Sequence, residues 1–136
     1  MDSKRKGEIS ESIIVSEMLK KGYNVSVPFG ENTRYDLIID KNGQLEKVQC
    51  KTGRLKKGVI KFNTVSTRSN YSETREINYE GEIDKFVVYC PDLERIFEVP
   101  EEKAPNGEMK LRVEEPANNQ KKGINWAEDY ELRSEA

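Results

Sequence analysis

The dipeptide Asn42-Gly43 constrains this chain more than any other feature of it. It separates two apolar runs, residues 35–40 (Tyr-Asp-Leu-Ile-Ile-Asp) and residues 45–51 (Leu-Glu-Lys-Val-Gln-Cys-Lys). Asn and Gly accept the positive φ that a two-residue turn demands, so the pair predicts a tight antiparallel hairpin. With these two as the central residues, Lys41 faces Gln44 and paired positions sum to 85. Asp36 is then expected opposite Gln49, with Lys51 one diagonal step away on the same face. A carboxylate, an amide oxygen and an ammonium on one patch of sheet suit a divalent cation and a phosphate.

The surrounding sequence supplies the rest of a layered domain. Residues 6–21 lack Pro and are followed by Gly22, which predicts a helix and its stop. At about 100° per residue, Ile14, Val15, Met18 and Leu19 are expected to form one apolar arc, with Glu11 near its centre. A carboxylate there is costly unless it has a partner. Glu8 sits one turn earlier, at the edge of the arc. Residues 23–29 read as a strand, 53–57 as a basic turn and 58–64 as another strand. Residues 65–82 are polar and without a clear period, the mark of a long functional loop. Residues 84–90 are the most apolar run and predict a central strand, with 95–99 as its hairpin partner. Residues 109–113 suggest a short strand, and 124–130 one or two closing helical turns. One domain is expected over 1–136, with 1–5 and 131–136 as frayed tails.

Composition narrows the chemistry. The chain has no histidine, which removes Ser-His-Asp and Cys-His triads and the usual zinc and non-haem iron sites. Hydrolysis would have to run on carboxylates, lysine and a hard metal. Cys50 and Cys90 sit in strand-like runs and read as buried thiols of a reducing, cytoplasmic compartment. No apolar run approaches the roughly 18 residues of a membrane span, so no membrane partner is expected. The net charge of −2 hides an asymmetry: residues 1–75 carry 15 Lys and Arg against 9 Asp and Glu, whereas 76–136 carry 8 against 16. The basic part holds the hairpin, and a basic face is the electrostatic footprint of a nucleic-acid partner.

Phosphodiester hydrolysis needs a metal, ligands to hold it, and a cation for the developing charge. Asp36 offers a hard anionic oxygen suited to Mg2+, Gln49 a neutral amide oxygen, and Cys50 its backbone carbonyl. Lys51 points to the same face as Gln49, where it can hold the attacking water or stabilise charge. Glu11 can add a carboxylate, directly or through water, with Glu8 as the alternative. Arg54, Lys56, Lys57 and Lys61 follow at once and are expected to contact phosphates. Arg68, Asn70 and Tyr71, in the polar segment, are candidates for groove or junction contacts.

The order of these residues resembles the PD-(D/E)XK nuclease superfamily. The similarity is strongest to its branch of group I intron-associated homing endonucleases, which is related to archaeal Holliday junction resolvases. Lys6-Gly7, followed by Glu11, looks like that branch's opening. Tyr35-Asp36 matches its first motif, with Tyr35 where a proline often stands. Gln49-Cys50-Lys51 is similar to its QxK version of the (D/E)xK motif, and residues 81–91 (Gly-Glu-Ile-Asp-Lys-Phe-Val-Val-Tyr-Cys-Pro) resemble the branch as well. The resemblance implies an α/β, restriction-endonuclease-like fold: a mixed β-sheet core flanked by helices. It further implies Mg2+-dependent cleavage of double-stranded or branched DNA, with Mn2+ as an expected substitute. Family members often pair two sites to cut both strands, which implies a homodimer or homotetramer. A structure-selective resolvase and a DNA-binding module with a decayed site are the alternatives. Gln49 in place of an acidic residue removes one negative charge, which Glu11 or Glu8 would have to restore.

Overall fold

The Asn42-Gly43 turn organises the computed structural model, which describes residues 1–69, 73–116, 118 and 122–132. Both turn residues have positive φ, 55° and 94°. The turn joins β2 (Leu37–Lys41) to β3 (Gln44–Thr52), and the register is the expected one: Leu37 faces Val48, Ile39 faces Glu46 and Lys41 faces Gln44. β1 (Asn24–Ser26) flanks β2, while β8 (Lys85–Cys90) and β9 (Arg95–Pro100) continue the sheet beyond β3. The strand order is β1-β2-β3-β8-β9. β3 and β8 run parallel and the other neighbours antiparallel, so the sheet is mixed.

All six residues of β8 are buried. A strand covered on both faces reads as a continuous apolar run, which is why residues 84–90 carry the strongest strand signal. Alternate side chains divide between two cores. Val87 and Tyr89 join Ile14, Met18, Leu37, Ile39 and Val48 beneath the helix. Phe86, Val88 and Cys90 join Ile60, Phe62, Met109 and Leu111 on the opposite face.

The helix, α1, spans Ser3–Lys20 and starts earlier than the sequence suggests, because Asp2 caps it. The Asp2 carboxylate accepts from the Arg5 N–H at 2.8 Å. The buried stripe is Ser10, Ile14 and Met18, one residue every four, and Leu19 is exposed. Glu11 therefore stands about 60° from the centre of the stripe rather than on it. It flanks the core and is half-buried, which is a cheaper place for a carboxylate. α1 is the one α-helix among the described residues.

The other flank of the main sheet is a second sheet. β4 (Arg54–Lys56), β5 (Val59–Asn63) and β10 (Glu108–Arg112) associate in the order β10-β5-β4. The expected basic turn at 53–57 is thus mostly strand, and the turn itself is Lys57-Gly58, with φ of 52° and 76°. The expected loop at 65–82 contains a hairpin, β6 (Val65–Ser69) paired with β7 (Thr74–Asn78). Its strands pair only with each other, so neither face needs the alternating apolar pattern that reveals a strand. Short 3-10 turns occur at Glu101–Lys103 and Ala127–Asp129, the second being the one closing turn. Glu131 bridges to Phe97 and accepts from Arg95 Nε at 2.9 Å, which ties the chain down through this residue.

Candidate active site

β3 outlasts its partner. The ladder with β2 ends at Leu37 and Val48, whereas β3 continues to Thr52 with only β8 beside it. Lys47 turns its backbone towards β8: its N–H donates to Asp84 Oδ2 at 2.7 Å, and its carbonyl accepts from the Asp84 N–H at 2.8 Å. By alternation, the N–H and carbonyl of Cys50 point the other way, to the side where β2 has stopped. A partly buried donor there needs an acceptor. Asp36 supplies it, its Oδ2 accepting from the Cys50 N–H at 2.9 Å.

This corrects the expected pairing of Asp36 with Gln49. The chain bends at Asp36, whose own N–H donates to the Val48 carbonyl at 2.8 Å, one residue out of step with the ladder. Asp36 caps the open edge of β3 instead of extending β2 along it. Gln49 lies within β3 opposite Phe86 and shares its face with Lys51. Val48, Cys50 and Thr52 face the helix. Thr52 Oγ1 and the buried Ser10 Oγ lie 2.6 Å apart, a hydrogen bond that pins α1 to β3 beside the site.

Electrostatics bring Glu11 to the same place. Burial raises the Glu11 carboxyl above its ordinary pKa, and the nearby charge of Asp36 raises it further. Burial also raises Asp36, against the opposing pull of the Cys50 N–H and the Lys51 ammonium. The Cys50 thiol is pushed up by burial and then by the charges of Asp36 and Glu11, so it is no nucleophile. Asp36 thus sits on the Cys50 backbone at the edge of β3, near enough to Glu11 for its charge to act on that carboxyl. Glu8 does not join them; it pairs with Arg5 at 3.6 Å on the exposed side of α1.

Lys51 is held by a residue that the sequence did not single out for the site. Its Nζ donates to the Tyr79 hydroxyl at 3.4 Å and stands 5.1 Å from that ring's centroid. Tyr79 is buried and packs edge-on against Phe86, with centroids 5.5 Å apart. The Arg34 guanidinium lies 4.2 Å from the Tyr79 ring centroid. Arg34 also donates to Ser66 Oγ at 2.9 Å and to the Ile77 carbonyl at 3.2 Å, and pairs with Glu82 at 3.0 Å. Arg34 and Tyr79 thus fasten the β6–β7 hairpin to the site. Neither carries a spacing signal.

A cleft of about 300 Å3 opens beside Lys51, lined also by Ser3, Lys6, Thr52, Arg54 and Asn63. Of the expected phosphate contacts, Arg54 pairs with Glu108 at 3.2 Å. Lys56 and Lys57 are exposed and Lys61 is half-buried. Arg68 lies in β6 opposite Arg75. Asn70 and Tyr71 fall outside the described residues.

Oxygen donors are the type a hard divalent cation takes. Glu11, Asp36, the Gln49 amide and the Cys50 carbonyl all offer oxygen, and burial raises both acids. Among the described residues no group of three or more His, Cys, Asp or Glu could hold a metal.

The family model of the PD-(D/E)XK endonuclease matches residues 1–133. Among solved structures, that of a bacterial homing endonuclease, I-Ssp6803I, superposes with a TM-score of 0.81 at 26% identity, over 96% of this chain and 89% of that one. No curated protein matches the chain.

Proposed function

The chain belongs to the PD-(D/E)XK endonuclease family, and from that premise we propose that it hydrolyses phosphodiester bonds of double-stranded DNA with Mg2+, in the manner of a homing endonuclease. The observation that carries this reading is Asp36 capping the Cys50 N–H at the open edge of β3, one residue from Lys51, with Glu11 close enough to feel its charge. Asp36, the Gln49 amide and the Cys50 carbonyl would hold the metal, with Glu11 directly or through a water. When bound, such a cation polarises the phosphate and eases deprotonation of water.

The protein's own residues supply the rest. The Cys50 N–H fixes one oxygen of Asp36 and leaves the other free for a ligand. The Lys51 ammonium, bonded to the Tyr79 hydroxyl, would hold the attacking water or stabilise charge building on the phosphate. Arg54, Lys56, Lys57 and Lys61 would take backbone phosphates. A homodimer or homotetramer would present two such sites, one for each strand.

Cleavage of linear duplex, four-way junction and flap substrates, in Mg2+, Mn2+ and EDTA, tests the proposal. Duplex cleavage that needs a divalent ion and is lost in Asp36→Asn and Lys51→Ala is expected. Metal-dependent nicking that survives in both variants would sink the site as drawn. Preference for the junction would favour a resolvase. Binding without cleavage in either metal would favour a DNA-binding module, to which the neutral Gln49 lends weight.

A further inference from the structure

The cross-strand register of the second sheet aligns cations that are far apart in sequence. Lys110 of β10 faces Lys61 of β5, and Lys61 faces Arg54 of β4. In the next row on the same face, Arg112 and Lys56 both oppose Val59. The other face of this sheet is apolar, with Leu55, Ile60, Phe62, Met109 and Leu111 packed into the core. All five cations therefore stand on the outer face. With strands about 4.8 Å apart, the row from Lys110 to Arg54 spans roughly 10 Å.

Like charges directly opposite each other in a sheet are destabilising, so such a row needs an anion or a reason. Among the described residues one carboxylate pairs with this row. Glu108, on the same face, is engaged with Arg54. Neither Lys61 nor Lys110 has an ion-pair partner among the described residues, although Lys61 is half-buried. The row is also continuous with the site. Arg54 and Asn63, both on this face, line the cleft that holds Lys51. At the far side, Lys110 and Arg112 line a second cleft of about 430 Å3 with Asn118 and Asn125.

We propose that the outer face of the β10-β5-β4 sheet is a phosphate track, on which the backbone of the duplex being cut crosses the strands from Lys110 through Lys61 to Arg54 and enters the cleft beside Lys51. This rests on the nuclease reading and adds Lys110 and Arg112 to the surface. It also fixes the direction of travel, across the strands and not along the Lys57-Gly58 turn. The occupant is a polyphosphate chain because the face offers evenly spaced cations, little apolar surface and almost no competing acid.

The test is the salt dependence of duplex binding, measured by fluorescence anisotropy in EDTA so that no cleavage occurs. Each phosphate contact contributes about 0.9 to the slope of log K against log salt. Lys61→Ala with Lys110→Ala is expected to lower that slope by nearly 2, and Lys110→Ala alone, at an exposed position, by nearly 1. A control pair away from this face, Lys20→Ala with Lys103→Ala, should leave it unchanged. An unchanged slope in the Lys61 and Lys110 variants, or an equal fall in the control, overturns the track while leaving the nuclease reading intact. Loss of self-association in place of a change in slope would also overturn it and make the face a contact between copies. Wild-type protein that shows no salt-dependent binding would defeat the nuclease reading itself.

Discussion

Asp36 does two jobs that two substitutions can separate. Its Oδ2 accepts from the Cys50 N–H at 2.9 Å, and its charge belongs to the proposed metal site. Asp36→Asn keeps an oxygen in the same place and removes the charge. Asp36→Ala removes both and leaves a partly buried donor without an acceptor, which costs about 1–3 kcal/mol. A domain of this size shifts its melting point by roughly 4 °C per kcal/mol, so the Ala variant should melt about 4–12 °C below the Asn variant. Folding raises the Asp36 carboxyl pKa, chiefly through burial. Its contribution to stability is therefore fully present below the unfolded pKa and is lost as pH rises through the folded one. The Asn variant does not titrate, so its stability relative to wild type should rise between acid and neutral pH. Both variants should lose more than about 100-fold in cleavage, because even residues that only orient a metal's ligands cost 10–100-fold. Thermal melts at several pH values and a plasmid-nicking assay measure the two effects. An Ala variant as stable as the Asn variant would refute the capping role, and an Asn variant that still cleaves would refute the metal role.

Other outcomes follow from the same geometry. Mg2+ at about 100 times its Kd should stabilise the wild type by roughly 2.7 kcal/mol and leave Asp36→Asn unmoved in thermal melts. Because the charge of Asp36 raises Glu11, Asp36→Asn should let Glu11 titrate at lower pH in a carboxyl-carbon NMR titration; an unchanged titration would mean that the two acids do not share a site. Tyr79→Phe keeps the contacts with Phe86 and Arg34 but loses the bond to Lys51, so kcat should fall about fivefold to tenfold at constant KM. Gly53→Ala would bring a Cβ within 2.7 Å of Ile60 Cγ2 and 3.1 Å of Val88 Cγ1; urea unfolding should show a loss of about 1–3 kcal/mol.

The hairpin and the central strand were legible because their signals are local. Asn42-Gly43 admits few turns, and a doubly covered strand must be apolar throughout. The bend at Asp36 was not legible, since nothing in the neighbouring sequence says that β2 stops one residue short. Glu11 was found by its place on α1, yet the arc was misplaced because Ser10, small and bonded to Thr52, counts as polar while occupying the stripe. The β6–β7 hairpin escaped because it packs no apolar face. Tyr79 and Arg34 reach Lys51 and Asp36 only through the tertiary fold. Lys110 and Arg112 lie in the acidic part of the chain, where the charge count hid them until the register set them beside Lys61.

An uncovered strand edge is an invitation to other chains, and β3 carries one beyond Val48. Proteins blunt such edges with bends, charged side chains and local capping of free donors. Here the bend is at Asp36, the cap is its carboxylate and the charge is Lys51. The groups proposed for chemistry thus also stand guard against strand addition. An inactive form prepared by Asp36→Ala would lose a safeguard along with its activity and should self-associate more readily than Asp36→Asn, which makes the amide the safer way to trap substrate on an intact protein.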